Sequence, residues 1–294
     1  MVMDSISFYA QQIKKHYPDL EIETIILNQQ GQYNDVLVIN HAWVFRFAKV
    51  PVAARTLRQE VVILQNLQDR ISLTIPNPIY YYIEKDAVGE AFMGYKMIPG
   101  KPLWTDDFQN ISDLEIRKGI AVQLSGFLNE LHHIPVHEVI PIELPWADTR
   151  KEWVNIYERI QAKLYAYMRP DARQQVSKHF EDFLDNPDLY KFEPVLRHGD
   201  FGTNNILYDP WNLSVVGIID FGGTGLGDPA IDFAGLLISY GETLYEQCYA
   251  VYPEMEQALK RARFYCGTFA LEEALFGIEN GDQTAFQNGM VKYV

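Results

Sequence analysis

Between residues 198 and 222 the chain reads His198-Gly199-Asp200-Phe201-Gly202-Thr203-Asn204-Asn205, then two apolar runs around Asp209-Pro210-Trp211-Asn212, then Asp220-Phe221-Gly222. The runs at 206–208 and 213–219 read as strand, turn, strand. A hairpin brings its two ends together, so Asn205 and Asp220 are expected to meet at one edge, with Asp200 five residues before the first. Two oxygen donors at one edge suit magnesium, a hard cation that keeps coordination positions for phosphate and water. A carboxylate just upstream suits the acceptor hydroxyl of a phosphoryl transfer, whose catalysis is mostly positioning and charge stabilisation. Asp200 alone would read as a turn residue; at these spacings it reads as the catalytic carboxylate, with Asn205 and Asp220 as metal ligands. His198 reads as a structural side chain holding the loop.

The rest of the chain falls into two patterns. Residues 6–17 have amphipathic helical spacing and stop at Pro18. Strand-like runs follow at 22–27, 35–39 and 43–47, then a helix over 52–67 with Leu57, Val61, Leu64 and Leu67 on one stripe, then strands at 79–84 and 91–97. Strands around one helix predict a small α+β lobe with an antiparallel sheet. Ile98-Pro99-Gly100-Lys101-Pro102 breaks the pattern at a lobe boundary. Beyond it the spacing is helical. Ser112-Asp113-Leu114-Glu115 reads as a capping box with Ser112 at the N-cap, opening a helix with Ile120, Leu124, Phe127, Leu128 and Leu131 on one face. Residues 148–185 are helical and dotted with aromatics, and helix resumes from Phe233. The expected organisation is a nucleotide-binding lobe over 1–97, a linker over 98–101, and a catalytic and substrate-binding lobe over 102–294 with a helical insert at about 137–190.

Charge narrows the partners. The net charge of −14 repels polyanions and excludes non-specific nucleic-acid binding as the role. From His198 to Leu259 there is no Lys or Arg, while Asp200, Asp209, Asp220, Asp228, Asp232, Glu242, Glu246, Glu254 and Glu256 fall in that stretch. Asp209, Glu254 and Glu256 read as surface or capping residues and Asp228 as a helix cap. Asp232 either holds the catalytic loop or faces the cleft. The remainder suggests an acidic cleft that attracts metal ions and a cationic small molecule. Cys248 and Cys266 have no second pair and make no zinc site, so they read as reduced thiols. No signal-peptide pattern opens the chain and no apolar run is long enough to cross a bilayer, so a cytoplasmic protein away from membranes is expected; a monomer is the default for a two-lobed architecture of this kind.

In the N-terminal half, the strand Val44-Phe45-Arg46-Phe47-Ala48-Lys49 offers two cations, one of which should reach the α- and β-phosphates of a nucleotide. Glu60 in the next helix could pair with it. The loop Gln29-Gln30-Gly31-Gln32-Tyr33-Asn34-Asp35 would cover the phosphates, though a single glycine is a weak signal and a plain hairpin turn explains it as well.

Together these residues resemble the aminoglycoside phosphotransferase family, which has the protein-kinase-like fold, and among its members the 2''-phosphotransferases. The resemblance is carried by His198-Gly199-Asp200 with Asn205, Gly217-Ile218-Ile219-Asp220-Phe221-Gly222, and Asp228-Pro229 with Asp232. It is supported by Val44-Phe45-Arg46-Phe47, Glu60, Gly94-Tyr95-Lys96-Met97-Ile98-Pro99-Gly100, and Leu131-His132 with Ile134-Pro135. It implies a bilobal α+β fold and transfer of the γ-phosphate of GTP or ATP, with Mg2+, to an aminoglycoside hydroxyl. The nucleotide base would bond backbone groups of Lys96 and Ile98, and Tyr95 would line the back of the base pocket, where a bulky aromatic resembles members that favour GTP. The family's usual strand lysine falls at Arg46, with Lys49 held in reserve. Asp232, Glu242, Glu246, Glu272 and Glu273 are the candidates for binding acceptor amines. Alternatives are a kinase for a macrolide, choline or a sugar, or a nucleotide-binding pseudoenzyme. A protein kinase is disfavoured, since Asp220-Phe221-Gly222 reaches Asp228-Pro229 with no room for an activation loop.

Overall fold

A computed structural model of the chain describes residues 2–29, 31, 33–84, 86–142, 144 and 149–294. Gln30 and Gln32 of the expected phosphate loop, and Asp148 at the start of the second helical stretch, lie outside the described residues. In chain order the first elements are α1 (Val2–His16), β1 (Ile25–Asn28), β2 (Asn34–Ile39), β3 (Trp43–Ala48), α2 (Pro51–Leu67), β4 (Tyr80–Tyr82), β5 (Phe92–Lys96) and β6 (Lys101–Pro102). Then come α3 (Thr105–Gln109), α4 (Leu114–His132), α5 (Val136–Val139), α6 (Thr149–Lys163), α7 (Pro170–Leu184) and β7 (Val195–Arg197). The last are β8 (Ile206–Asp209), β9 (Ser214–Ile218), β10 (Gly225–Gly227), α8 (Ala230–Gln247), α9 (Glu254–Asn280) and α10 (Gln283–Met290). The expected α+β class, with strands first and helices after, is what the chain forms.

The residues divide into two compact units, Met1–Leu103 with Ile134–Glu143 and Asn204–Thr224, and Trp104–His133 with Leu144–Thr203 and Gly225–Val294. In the first unit β1 to β5 make an antiparallel sheet in the order β1-β2-β3-β5-β4. Alternation along β3 sends Phe45 and Phe47 to a core with Tyr9, Ile13, Leu37, Ile39 and Phe92, and sends Ala48 to the small residues Ala53, Ala54 and Ala91. Helix α2 starts with Pro51 in its first turn, where the missing N–H costs nothing, and buries Leu57, Glu60, Val61, Leu64 and Leu67 along one stripe.

The β8–β9 hairpin belongs by its contacts to this first unit, although its sequence position suggested the C-terminal lobe. Two pairings explain it. Strand β6 pairs with β8, Lys101 opposite Tyr208. The Ile218 N–H donates to the Thr74 carbonyl at 2.9 Å, beside the parallel bridge of Thr74 to Gly217. Gly217 is required there, since an added Cβ would lie 2.7 Å from that carbonyl oxygen.

In the second unit the capping of α4 differs from the expected box. Asp113, not Ser112, is the N-cap, and its carboxylate accepts from the Glu115 and Ile116 amides. Asp caps as well as Ser does, and the helix begins one residue later than the S-x-x-E pattern implies. The aromatics of the second helical stretch join its helices and dock them onto α9: Tyr157 of α6 stacks on Phe180 of α7 at 4.8 Å, and Phe183 of α7 on Phe264 of α9 at 3.6 Å. Among the described residues no helix is long and apolar enough to cross a membrane, and both cysteines are free thiols.

Polar clasps finish the docking. Arg159 and Lys163 of α6 grip Glu279 of α9, Lys163 at 2.7 Å. The hydrogen bond from Arg159 holds the Glu279 carboxyl down at about 2; burial opposes it, and the Lys163 hydrogen bond and the two positive charges add to the lowering. A carboxyl whose folded pKa is depressed contributes stability above its unfolded pKa and loses it as pH falls through the folded one. Glu279→Gln is therefore expected to lower stability at pH 7 by about 1 kcal/mol, roughly 2–4 °C in Tm. The gap to the parent should close as pH falls from about 5 toward 2. Thermal unfolding of both proteins across that range checks it; a gap independent of pH would remove the ionic explanation.

Candidate functional site

Strand β3 delivers Arg46 to the sheet face opposite Phe45 and Phe47, where it is only 7 % exposed. A guanidinium that far from water needs carboxylates. Glu60 of α2, 1 % exposed, takes one arm at 2.5 Å, and Asp220 takes the other at 2.7 Å. Burial pushes the Glu60 carboxyl up and the Asp220 charge adds to this; the Arg46 charge and the Phe221 amide, which donates to Glu60 Oε1 at 3.1 Å, offset only part of it. Glu60 thus fixes a cation and a turn at once. Its Oε2 atom is buried with no hydrogen-bond partner among the described residues.

That turn follows β9. Asp220 has φ 63° and ψ 70°, left-handed geometry that a non-glycine residue holds only where its surroundings enforce it. Here the enforcement is Arg46 on its carboxylate and Glu60 on the next amide. Gly222 completes the turn; a Cβ there would sit 3.3 Å from Asp220 Oδ1 and 3.6 Å from an Arg46 nitrogen. At the other end of the hairpin the Asn205 carbonyl accepts the Ile219 N–H at 2.9 Å, and Ile206 faces Ile218. The hairpin therefore brings Asn205 and the Asp220 turn to one edge, as its sequence predicts. The Asp220 side chain is 45 % exposed, while Asn205 is 6 % exposed. An amide oxygen and a carboxylate at one edge are a donor set that fits magnesium, whose other ligands come from phosphate and water.

Lys49 goes elsewhere. Its ammonium donates to the Gln29 and Gly31 carbonyls at 3.0 and 2.9 Å and lies 3.4 Å from Asp35. It thereby ties down the loop between β1 and β2. Asp35, 3 % exposed, also accepts from Tyr9 at 2.6 Å, an α1 contact that no sequence pattern flagged. At the end of β5, Tyr95 is buried with Arg46 among its charged neighbours, Lys96 is exposed, and Ile98 is buried. The Met97 amide between the last two is already used, donating to the Ala42 carbonyl at 2.8 Å.

In the second unit β7 leads into the loop that starts at His198. Gly199 takes φ 84°, and Asp200 that follows is exposed. Asp232, fully buried on α8, accepts the amides of His198 at 2.7 Å and Gly199 at 2.8 Å, and a hydrogen bond with His132 Nε2 at 3.0 Å. Burial would push the Asp232 carboxyl up, but the His132 hydrogen bond, the His132 and His198 rings and the Gly199 amide outweigh it and hold it low. Asp232 is therefore a clamp under the loop, and its expected place among the acceptor-binding carboxylates is corrected: it has no exposed surface. His198 is buried beside it and accepts the Asp200 amide on Nδ1 at 3.3 Å, the structural place expected for it. Phe201 then stacks on Phe127 at 5.5 Å, and its carbonyl approaches Gly235 so closely that a Cβ there would be 2.0 Å away.

Asp228 caps α8 as expected, accepting the Ala230 amide at 2.9 Å, and also ties α8 to α9 through Arg261 and Tyr265, each at 2.8 Å. The Lys- and Arg-free stretch is thus less uncompensated than its sequence suggests. Arg46, Arg261 and Arg263 reach Asp220, Asp228 and Glu242 from outside it. Glu242 is on the surface, paired to Arg263 at 2.6 Å, and Glu246 and Glu273 are exposed. Glu272 is half-buried. Burial pushes its carboxyl up and Glu152 adds to this, against a hydrogen bond from Thr268 at 2.7 Å and the charge of Arg197. Glu152 is a carboxylate that the sequence did not single out, because it lies on α6, over a hundred residues away.

The sequence profile of the phosphotransferase enzyme family matches residues 24–265. Viomycin phosphotransferase of Streptomyces vinaceus is 26% identical over 268 residues, covering 90% of this chain and 91% of that one. Among solved structures, the GDP and kanamycin complex of APH(2")-IIia superposes with a TM-score of 0.88 at 25% identity, covering 97% of this chain and 96% of that one. Macrolide 2'-phosphotransferase type I shares the fold, with a TM-score of 0.75 at 16% identity over 100% of this chain and 98% of that one.

Proposed function

The chain belongs to the phosphotransferase enzyme family, and we propose that it moves the γ-phosphoryl group of a nucleoside triphosphate to a hydroxyl of an aminoglycoside, the 2''-hydroxyl where one is present. The observation that carries this reading is the buried Arg46 shared between Glu60 and Asp220. It fixes a cation for the nucleotide phosphates and a metal-binding carboxylate in one network, which a fold retained only for binding would have no need to hold in strained backbone.

In this reading Arg46 contacts the α- and β-phosphates, Asn205 and Asp220 hold magnesium, and Lys49 orders the loop at Gln29 and Gly31. Bound magnesium supplies positive charge that offsets the charge building up on the transferring phosphoryl oxygens. Asp200 accepts a hydrogen bond from the acceptor hydroxyl, turns its lone pair toward phosphorus, and takes its proton late. Asp232 acts on that step only through the backbone it holds. Tyr95 lines the base pocket and Lys96 and Ile98 offer backbone groups to the base; the bulk of Tyr95 favours GTP over ATP. The acceptor's amines are read by Glu272, supported by Glu152, and by the exposed Glu246 and Glu273. A half-buried carboxylate pushed up by burial, with a second carboxylate adding to it, is a place where an ammonium is favoured.

A second acceptor deserves a direct trial, since viomycin phosphotransferase matches over nine-tenths of the chain. Nucleoside diphosphate release is measured with GTP and with ATP against kanamycin, gentamicin, viomycin, a macrolide and choline. Release with an aminoglycoside and GTP at the highest kcat/KM is expected. The highest kcat/KM on viomycin would replace the aminoglycoside reading, and equal efficiency with ATP would remove the role given to Tyr95.

A further inference from the structure

The sheet that presents Arg46 on one face carries a second, chemically different concavity on the other. Trp43 alternates with Val44 on β3 and so shares the face of Phe45 and Phe47, opposite Arg46. There a cavity of about 630 Å³ is lined by His16, Tyr17, Asp19, Glu21, Trp43 and Tyr80, among others. Its aromatic wall is continuous. Trp43 meets Tyr80 edge to face at 5.0 Å, Tyr17 meets Tyr80 at 4.9 Å, and Tyr80 stacks on Phe45 at 5.6 Å.

The wall is also fixed. The Tyr17 hydroxyl donates to the Tyr81 carbonyl at 2.9 Å and accepts its amide at 2.8 Å. The segment bearing Asp19 and Glu21 is pinned by Asn40, whose side-chain oxygen accepts the Glu23 and Thr24 amides and whose nitrogen donates to the Glu21 carbonyl at 2.9 Å. His16 stacks on Tyr82 at 4.0 Å, and its Nε2 is buried with no hydrogen-bond partner among the described residues. Lys14 at the rim has its ammonium on the Pro18 carbonyl at 3.0 Å.

We propose that this cavity binds an alkylammonium group, of the kind a polyamine or an amino sugar carries. Aromatic faces attract a cation through their quadrupoles. Asp19 and Glu21 supply opposite charge at the same wall. His16, stacked on Tyr82, extends the aromatic wall. A site on the sheet face opposite Arg46 leaves the nucleotide cation untouched, so occupancy does not depend on the acceptor proposed for the enzyme.

The test is binding read at Trp43 in the full chain with its tryptophans labelled with 15N, the Trp43 indole signal being assigned from Trp43→Phe. Spermidine and 2-deoxystreptamine are titrated separately at constant ionic strength, with triacetylspermidine as the uncharged counterpart. A saturable shift of the Trp43 signal is expected with at least one amine and none with the acetylated compound. The amine that shifts it identifies a polyamine or an amino-sugar source. Asp19→Asn with Glu21→Gln is expected to weaken binding about tenfold. No shift with either amine, an equal shift with the acetylated compound, or unchanged affinity in the carboxamide double variant would overturn the proposal.

Discussion

Asp200→Ala is expected to lower kcat by roughly 10³-fold or more while leaving nucleotide affinity within about twofold. The two halves of that expectation come from different observations. The large loss follows from the role proposed for the carboxylate, which acts on the acceptor hydroxyl. Intact binding follows from where the loop takes its support. The His198 and Gly199 amides are held by Asp232, and Phe201 is stacked on Phe127, so the backbone on both sides of residue 200 is fixed without the Asp200 side chain. Asp200 is exposed, so its truncation opens no cavity and the variant should melt with the parent. Steady-state turnover, nucleotide titration and thermal unfolding on one preparation separate these outcomes. Turnover within tenfold of the parent would end the mechanism proposed here.

Asp232 provides the contrast. It holds, from α8, the loop that bears Asp200 but has no surface, and its carboxylate gathers two amides and a histidine. Sequence singled out Asp200 as catalytic but left Asp232 between holding the catalytic loop and facing the cleft, because it sits near a helix start in an acidic stretch. What separates them is whether donors converge on the carboxylate, and those donors come from positions 132, 198 and 199. The same limit hid the arginine partners of the acidic stretch. A charge count along a window cannot see Arg46, which arrives from over 170 residues away. The hairpin, in contrast, was legible, because the distance between its ends is set by local pairing alone. The helix stripes and the strand alternation in β3 were legible for the same reason, whereas the N-cap of α4 slipped by one residue because two good capping residues stand side by side.

Arg46 is where fold and chemistry cannot be changed independently, and Arg46→Ala should show both losses. Removing the guanidinium leaves Glu60 buried without its counter-charge, a defect of about 3–5 kcal/mol in comparable buried pairs. It also frees Asp220 from the contact that helps hold its left-handed turn. In the proposed mechanism the same change removes the phosphate contact, so the KM for the nucleotide should rise at least about tenfold. A rise in KM from a protein that is merely unstable would say nothing about phosphate binding, so the two effects have to be parted. Adding Glu60→Gln to Arg46→Ala removes the stranded charge and is expected to recover much of the melting temperature but none of the nucleotide affinity. Arg46→Lys keeps a charge but loses the planar fork that spans Glu60 and Asp220 together, and should fall between parent and alanine variant. Lys49→Ala is the decisive comparison, because Lys49 is the other candidate cation, one residue past β3, and its ammonium is committed to the Gln29 and Gly31 carbonyls. If Lys49→Ala raises the nucleotide KM strongly while Arg46→Ala with Glu60→Gln does not, the phosphate-binding role belongs to Lys49, and the buried network around Arg46 is a structural support for the Asp220 turn.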